Sequence, residues 1–151
     1  MDYEPPLERI AVRIRRSLPD PTSAGLDQVE RSLVVIGEDL VQARNEFGHV
    51  SFHATDQAVA VETDPITLER VYLGPFRILI RLDRLANCTV DATIEVVAVN
   101  PHPATGNGRV THPHVSDGRL CAGEATGPLA AALQDGRICD TFLLVRSVLE
   151  T

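Results

Sequence analysis

The chain has 151 residues, 44% hydrophobic and 23% charged, which suits one domain around one core. A formal net charge of −7 argues against a nucleic-acid partner, which demands a basic face, and no apolar run is long enough to span a bilayer. Cys88, Cys121 and Cys139 are odd in number and lack CxxC spacing, so neither a disulfide framework nor a four-thiolate zinc site is expected; a reducing compartment, the cytoplasm, fits.

In chain order, Leu7, Ile10, Ala11, Ile14 and Leu18 follow Pro5-Pro6 at helical spacing, and the spacing predicts a helix over Pro5 to Leu18. A break follows at Ser17 to Ser23, so residues 1–22 read as an N-terminal extension or extra helix. Leu26, Val29, Leu33, Ile36, Leu40, Ala43 and Phe47 then recur at steps of three and four, one stripe of a second helix expected to pack on a sheet, with Gly48 as its C-terminal stop.

From His49 the period changes to two. Val50, Phe52 and Ala54 alternate with Ser51 and His53; Thr55-Asp56-Gln57 reads as a turn and Ala58 to Val61 as the next strand. After a turn at Thr63-Asp64-Pro65, Val71 to Asp83 reads as one long strand kinked at Gly74-Pro75, with Phe76, Ile78 and Ile80 on one face and Arg77 and Arg81 on the other. Thr93 to Val99 is nearly continuous in β-branched residues and reads as a central strand buried on both faces. Asn100 to Gly118 reads as a loop. Helices over Pro128 to Gln134 and along the stripe Ile138, Phe142, Val145 and Leu149 close the chain around a turn at Asp135-Gly136. The fold class is therefore α+β: N-terminal helix, antiparallel meander of about four strands, active-site loop and C-terminal helices in one domain.

Chemistry concentrates in Thr111 to Cys121. A polar loop with His102, His112 and His114 leaves a buried strand and runs into Cys121, among small neighbours (Ala122, Gly123) and two positions from the cation of Arg119. A nearby cation favours thiolate, and small neighbours leave the sulfur accessible. The competing reading makes Cys121 a small buried hydrophobe, which is how Cys139, beside Ile138 in an apolar stripe, is read. Cys88 has no evident role. His112 could instead hold the loop through ring hydrogen bonds to backbone. His102, His112, His114 and Cys121 are also a conceivable metal set, though prolines punctuate the histidines and no acidic second shell accompanies them.

His112-Pro113-His114 followed by Gly118-Arg119-Leu120-Cys121 resembles the active-site phrase of the ubiquitin-conjugating enzymes, His-Pro-Asn and then a catalytic cysteine. Tyr72-Leu73-Gly74-Pro75-Phe76 is similar to the family's lead into its third strand. The resemblance spans roughly residues 24–151 and is greatest to divergent bacterial members. It implies catalytic roles for Cys121, His114 and His112. An adenylating enzyme would pass a ubiquitin-like protein to Cys121 as a thioester, and an amine on a protein target would then attack it. No cofactor, metal, nucleic acid or membrane is implied. His114 replaces the family's asparagine, and its ring N–H can still donate a hydrogen bond. The family's acidic residue has Asp117 and Glu124 as local candidates. The alternative is a non-catalytic protein-binding module of the same fold.

One compositional feature stands apart: all 14 basic residues are arginine, and lysine is absent. Arginine-favouring codons in a GC-rich genome produce this. So would a need to keep amines away from an activated acyl group, because the ε-amine becomes a nucleophile on deprotonation whereas the guanidinium stays protonated.

Overall fold

A computed structural model describes residues 6–18, 26–87 and 89–151, with backbone alone for 26–32, 86 and 87; Cys88 lies outside the described residues. Helix α1 (Leu7–Ser17) begins after Pro6, where proline's fixed φ suits a first turn, and its stripe Ile10, Ala11 and Ile14 is buried. It is thus part of the core rather than an appendage, covering α2 and the 3₁₀ turn Leu82–Asn87. Helix α2 (Leu26–Phe47) ends as its sequence announces, with Gly48 at φ 81° returning its N–H to the Arg44 carbonyl. Its buried residues Ile36, Leu40 and Ala43 meet α1 and the last helix as well as the sheet, so the stripe is largely a helix–helix seam. Leu26 and Val29 of that stripe lie outside the described side chains.

The expected meander is present. Strands β1 (Ser51–His53), β2 (Ala58–Glu62), β5 (Phe76–Arg81) and β6 (Ile94–Ala98) form an antiparallel sheet in the order β1-β2-β5-β6. The register sets Phe52 beside Val59, Val59 beside Ile80, Ile78 beside both Val61 and Val96, and Phe76 beside Ala98. Because side chains alternate across a strand, these residues share the face covered by the helices. The other face holds a small apolar centre, Ala58, Ala60 and Leu79, bordered by the Arg77–Glu62 ion pair at 2.8 Å.

Three expectations are corrected. Val71 to Asp83 is not one strand: at Gly74 the backbone takes φ 81° and Pro75 has no N–H to donate. The chain therefore breaks into β4 (Val71–Gly74), which pairs with β3 (Ile66–Leu68) in a separate hairpin, and β5. Thr93 to Val99 is not a central strand buried on both faces; β6 is the last strand of the sheet, Thr93 belongs to the short helix α3 (Val90–Thr93), and Val97 and Val99 are exposed. A β-branched run favours strand but does not encode its position in the sheet. Within Asn100 to Gly118, the expected loop, lie β7 (Val110–His112) and β8 (Val115–Ser116), which form a small sheet with β9 (Arg119–Leu120).

After a 3₁₀ turn, Gly123–Ala125, the chain ends in α4 (Thr126–Gln134) and α5 (Ile138–Leu149). The α5 stripe Ile138, Phe142, Val145 and Leu149 is fully buried, as its spacing predicts. The N-terminus of α5 is capped from a distance: Asp39 of α2 accepts the Cys139 N–H at 2.7 Å. Burial raises the Asp39 pKa above its ordinary range, opposed by the N–H groups of Cys139 and Ile138. Asp39→Ala is expected to lower stability by about 1 kcal/mol through loss of the cap. Asp39→Asn keeps an acceptor without the desolvated charge and is expected to melt within a degree or two of wild type, measured by thermal denaturation. No helix among the described residues is long and apolar enough to cross a membrane.

Candidate functional site

The thiol of Cys121 is exposed, immediately after β9, whereas Cys139 is buried in the core, where desolvation pushes its thiol up to about 11. Two tight turns place Cys121. The first is His112-Pro113-His114-Val115, joining β7 to β8. The second is Asp117-Gly118 between β8 and β9, with both residues at positive φ (55° and 79°), as a two-residue type I′ turn demands. An Asp-Gly dipeptide is a strong hairpin signal, and it was the legible clue to this small sheet. The hairpin is docked on β6, because the Gly118 carbonyl accepts the Val96 N–H at 3.0 Å.

A relay of hydrogen bonds then ties the histidine turn to the cysteine. The His114 N–H donates to His112 Nδ1 at 2.9 Å, so this nitrogen is unprotonated. His112 Nε2 must carry the proton, since its partner at 2.7 Å is the Leu149 carbonyl, an acceptor only. The ring is thus a neutral imidazole with both nitrogens used, buried edge-on against Phe76 at 5.5 Å. Burial lowers its pKa; the neighbouring His114 adds to this and the Leu149 carbonyl opposes it. At the other end of the turn, the His114 carbonyl accepts the Cys121 N–H at 2.7 Å. The two halves of the motif are therefore in direct main-chain contact, and His112 holds the loop from beneath.

The thiol opens into a depression of about 550 Å³. His114 and Asp117 line it, as do Asp91, Arg109 and Arg119. Glu124, the other acidic candidate, is exposed in the following 3₁₀ turn and is outside that lining. Asp91, at the start of α3, and Arg109, before β7, are marked by no local sequence pattern; they share the depression with the cysteine because the hairpin docks on β6, the strand that follows α3. A cavity of about 610 Å³ between α1 and the 3₁₀ turn at Leu82 is of similar size, lined by Arg9, Arg13 and Arg16 among others, but its lining holds no cysteine or histidine.

The metal set is not assembled. His102 stands edge-on to Tyr72 at 5.6 Å and is outside the depression, and no group of three or more His, Cys, Asp or Glu among the described residues is placed to hold an ion. No protein family, characterised protein or solved structure matches the chain.

Proposed function

We propose that the chain is an acyl carrier of the ubiquitin-conjugating kind, working in the cytoplasm: Cys121 receives the C-terminal acyl group of a ubiquitin-like protein from an adenylating enzyme and passes it to an amine on a target protein. The observation that best supports this reading is the main-chain bond between His114 and Cys121, which holds an exposed thiol against the His-Pro turn. An exposed sulfur at the rim of a depression can be reached by another protein's C-terminus, and thioester formation splits one difficult acyl transfer into two easier steps. His114, lining the same depression, supplies a ring N–H for the tetrahedral oxyanion, and Asp91 or Asp117 a carboxylate for the incoming amine.

The test is to incubate the protein with its adenylating enzyme, the ubiquitin-like protein and ATP. A thiol-labile adduct is expected on wild type, none on Cys121→Ala, and a thiol-resistant ester on Cys121→Ser. An adduct that survives in Cys121→Ala sinks the reading. Failure of wild type to form any adduct favours a protein-binding module instead. In the native state, a small alkylating reagent is expected to modify Cys121 and to reach Cys139 only after denaturation.

A further inference from the structure

We propose that the absence of lysine is a working property of the thiol depression: Arg109 and Arg119 stand where a lysine would take the acyl group from Cys121, so that the chain reserves its cargo for a primary amine supplied from outside. This deepens the reading of Cys121 as an acyl carrier and rests on it.

Two requirements meet at this place. A basic side chain in the depression puts positive charge on the wall that Cys121 shares. Once the thioester exists, however, any amine within reach is an acceptor: its nitrogen lone pair attacks the carbonyl carbon and a C–N bond forms. The C–S bond then breaks, the sulfur of Cys121 leaves as thiolate, and the proton shed by the amine passes to solvent or a nearby carboxylate. Lysine meets the first requirement and violates the second; arginine meets both, because its guanidinium stays protonated.

Two of the 14 arginines are placed at the depression. Some arginines elsewhere make ion pairs, as Arg77 does with Glu62, Arg137 with Asp140 and Arg146 with Glu46. Arg109 and Arg119 line the depression with Cys121, and neither makes an ion pair among the described residues. No ion pair among the described residues therefore calls for arginine rather than lysine at either position. The other 12 basic positions are arginine as well.

The experiment loads the full chain with an N-acetylated peptide thioester of 2-mercaptoethanesulfonate, which transfers its acyl group to an accessible thiol without any activating enzyme. Wild type, Arg119→Lys, Arg109→Lys and, as a control outside the depression, Arg44→Lys are compared after excess reagent is removed. Wild type and Arg44→Lys are expected to keep a thiol-labile adduct. At least one of the two depression variants is expected to lose it about tenfold faster, at a rate independent of protein concentration, because tethering raises the amine's effective concentration to the millimolar range or above. The product is then a thiol-resistant amide that peptide mass mapping places at the new lysine. Equal lifetimes in all four proteins with no amide overturn the inference while leaving the carrier reading intact. Amide formation in Arg44→Lys as readily as in the depression variants also overturns it. A wild type that cannot be loaded at Cys121 overturns the carrier reading and this inference together.

Discussion

Replacing His112 with alanine is expected to lower the stability of the fold by about 3 kcal/mol, because it orphans the His114 N–H and the Leu149 carbonyl and leaves a void against Phe76. For a chain of this length that is a fall of about 6–12 °C in Tm. The same ring gives the protein a pH dependence whose sign is fixed. In the unfolded chain the imidazole titrates near its ordinary 6.5, and in the folded chain it titrates lower. Between the two values the unfolded state binds more protons, so stability rises with pH. The contribution is complete above about pH 6.5 and is lost as pH falls toward the lower, folded value. The physical reason is that protonated Nδ1 can no longer accept the His114 N–H. Thermal melts of wild type and His112→Ala between about pH 5 and 8 test this, and the variant is expected to show a shallower slope across that interval. A wild-type Tm that stays flat or rises on acidification through this range would contradict the assignment.

The second large effect is expected from α1. Ile10 and Ile14 are fully buried, and the helix they belong to covers α2 and the 3₁₀ turn at Leu82. A single buried isoleucine cut to alanine loses about 2–5 kcal/mol. The double variant Ile10→Ala/Ile14→Ala therefore approaches the whole stability of an ordinary domain, about 5–15 kcal/mol, with some departure from additivity because the two are neighbours. Loss of a cooperative unfolding transition is expected, read by denaturant titration. Were α1 only an appended helix, one of the two readings of residues 1–22 as an extension or extra helix, the remainder would unfold with its midpoint unchanged. Val34→Ala, at a position 59% exposed on α2, is the control and is expected to change stability by less than about 0.5 kcal/mol.

Much of this was legible in the sequence where the signal is local and periodic. The α5 stripe from Ile138 to Leu149 is buried in full, Gly48 ends α2 in the left-handed conformation that glycine tolerates, and the alternation through Phe76, Ile78 and Ile80 faces the core. What failed depends on position in space. The β-branched run at Thr93 to Val99 identifies a strand, but its place at the end of the sheet depends on where later segments dock. Gly74-Pro75 could mark a kink or a full break, and the choice turns on β3 being available to pair with β4. At the site, Cys121 and the histidine turn stand out as residue types at a spacing. The bond from His112 to Leu149 joins β7 to α5 across 37 residues, and Asp91 shares the depression because the hairpin docks on β6. Periodicity contains neither fact.

The bond from Val96 to the Gly118 carbonyl has an intermolecular consequence. A terminal strand with unpaired backbone groups and exposed valines invites another chain to extend the sheet. Here the hairpin leading to Cys121 occupies that margin, so the segment that presents the thiol also shields the sheet from self-association. A change such as Gly118→Val, at a backbone φ of 79° that a β-branched residue does not adopt without strain, is expected to loosen this hairpin and to show as self-association in sedimentation.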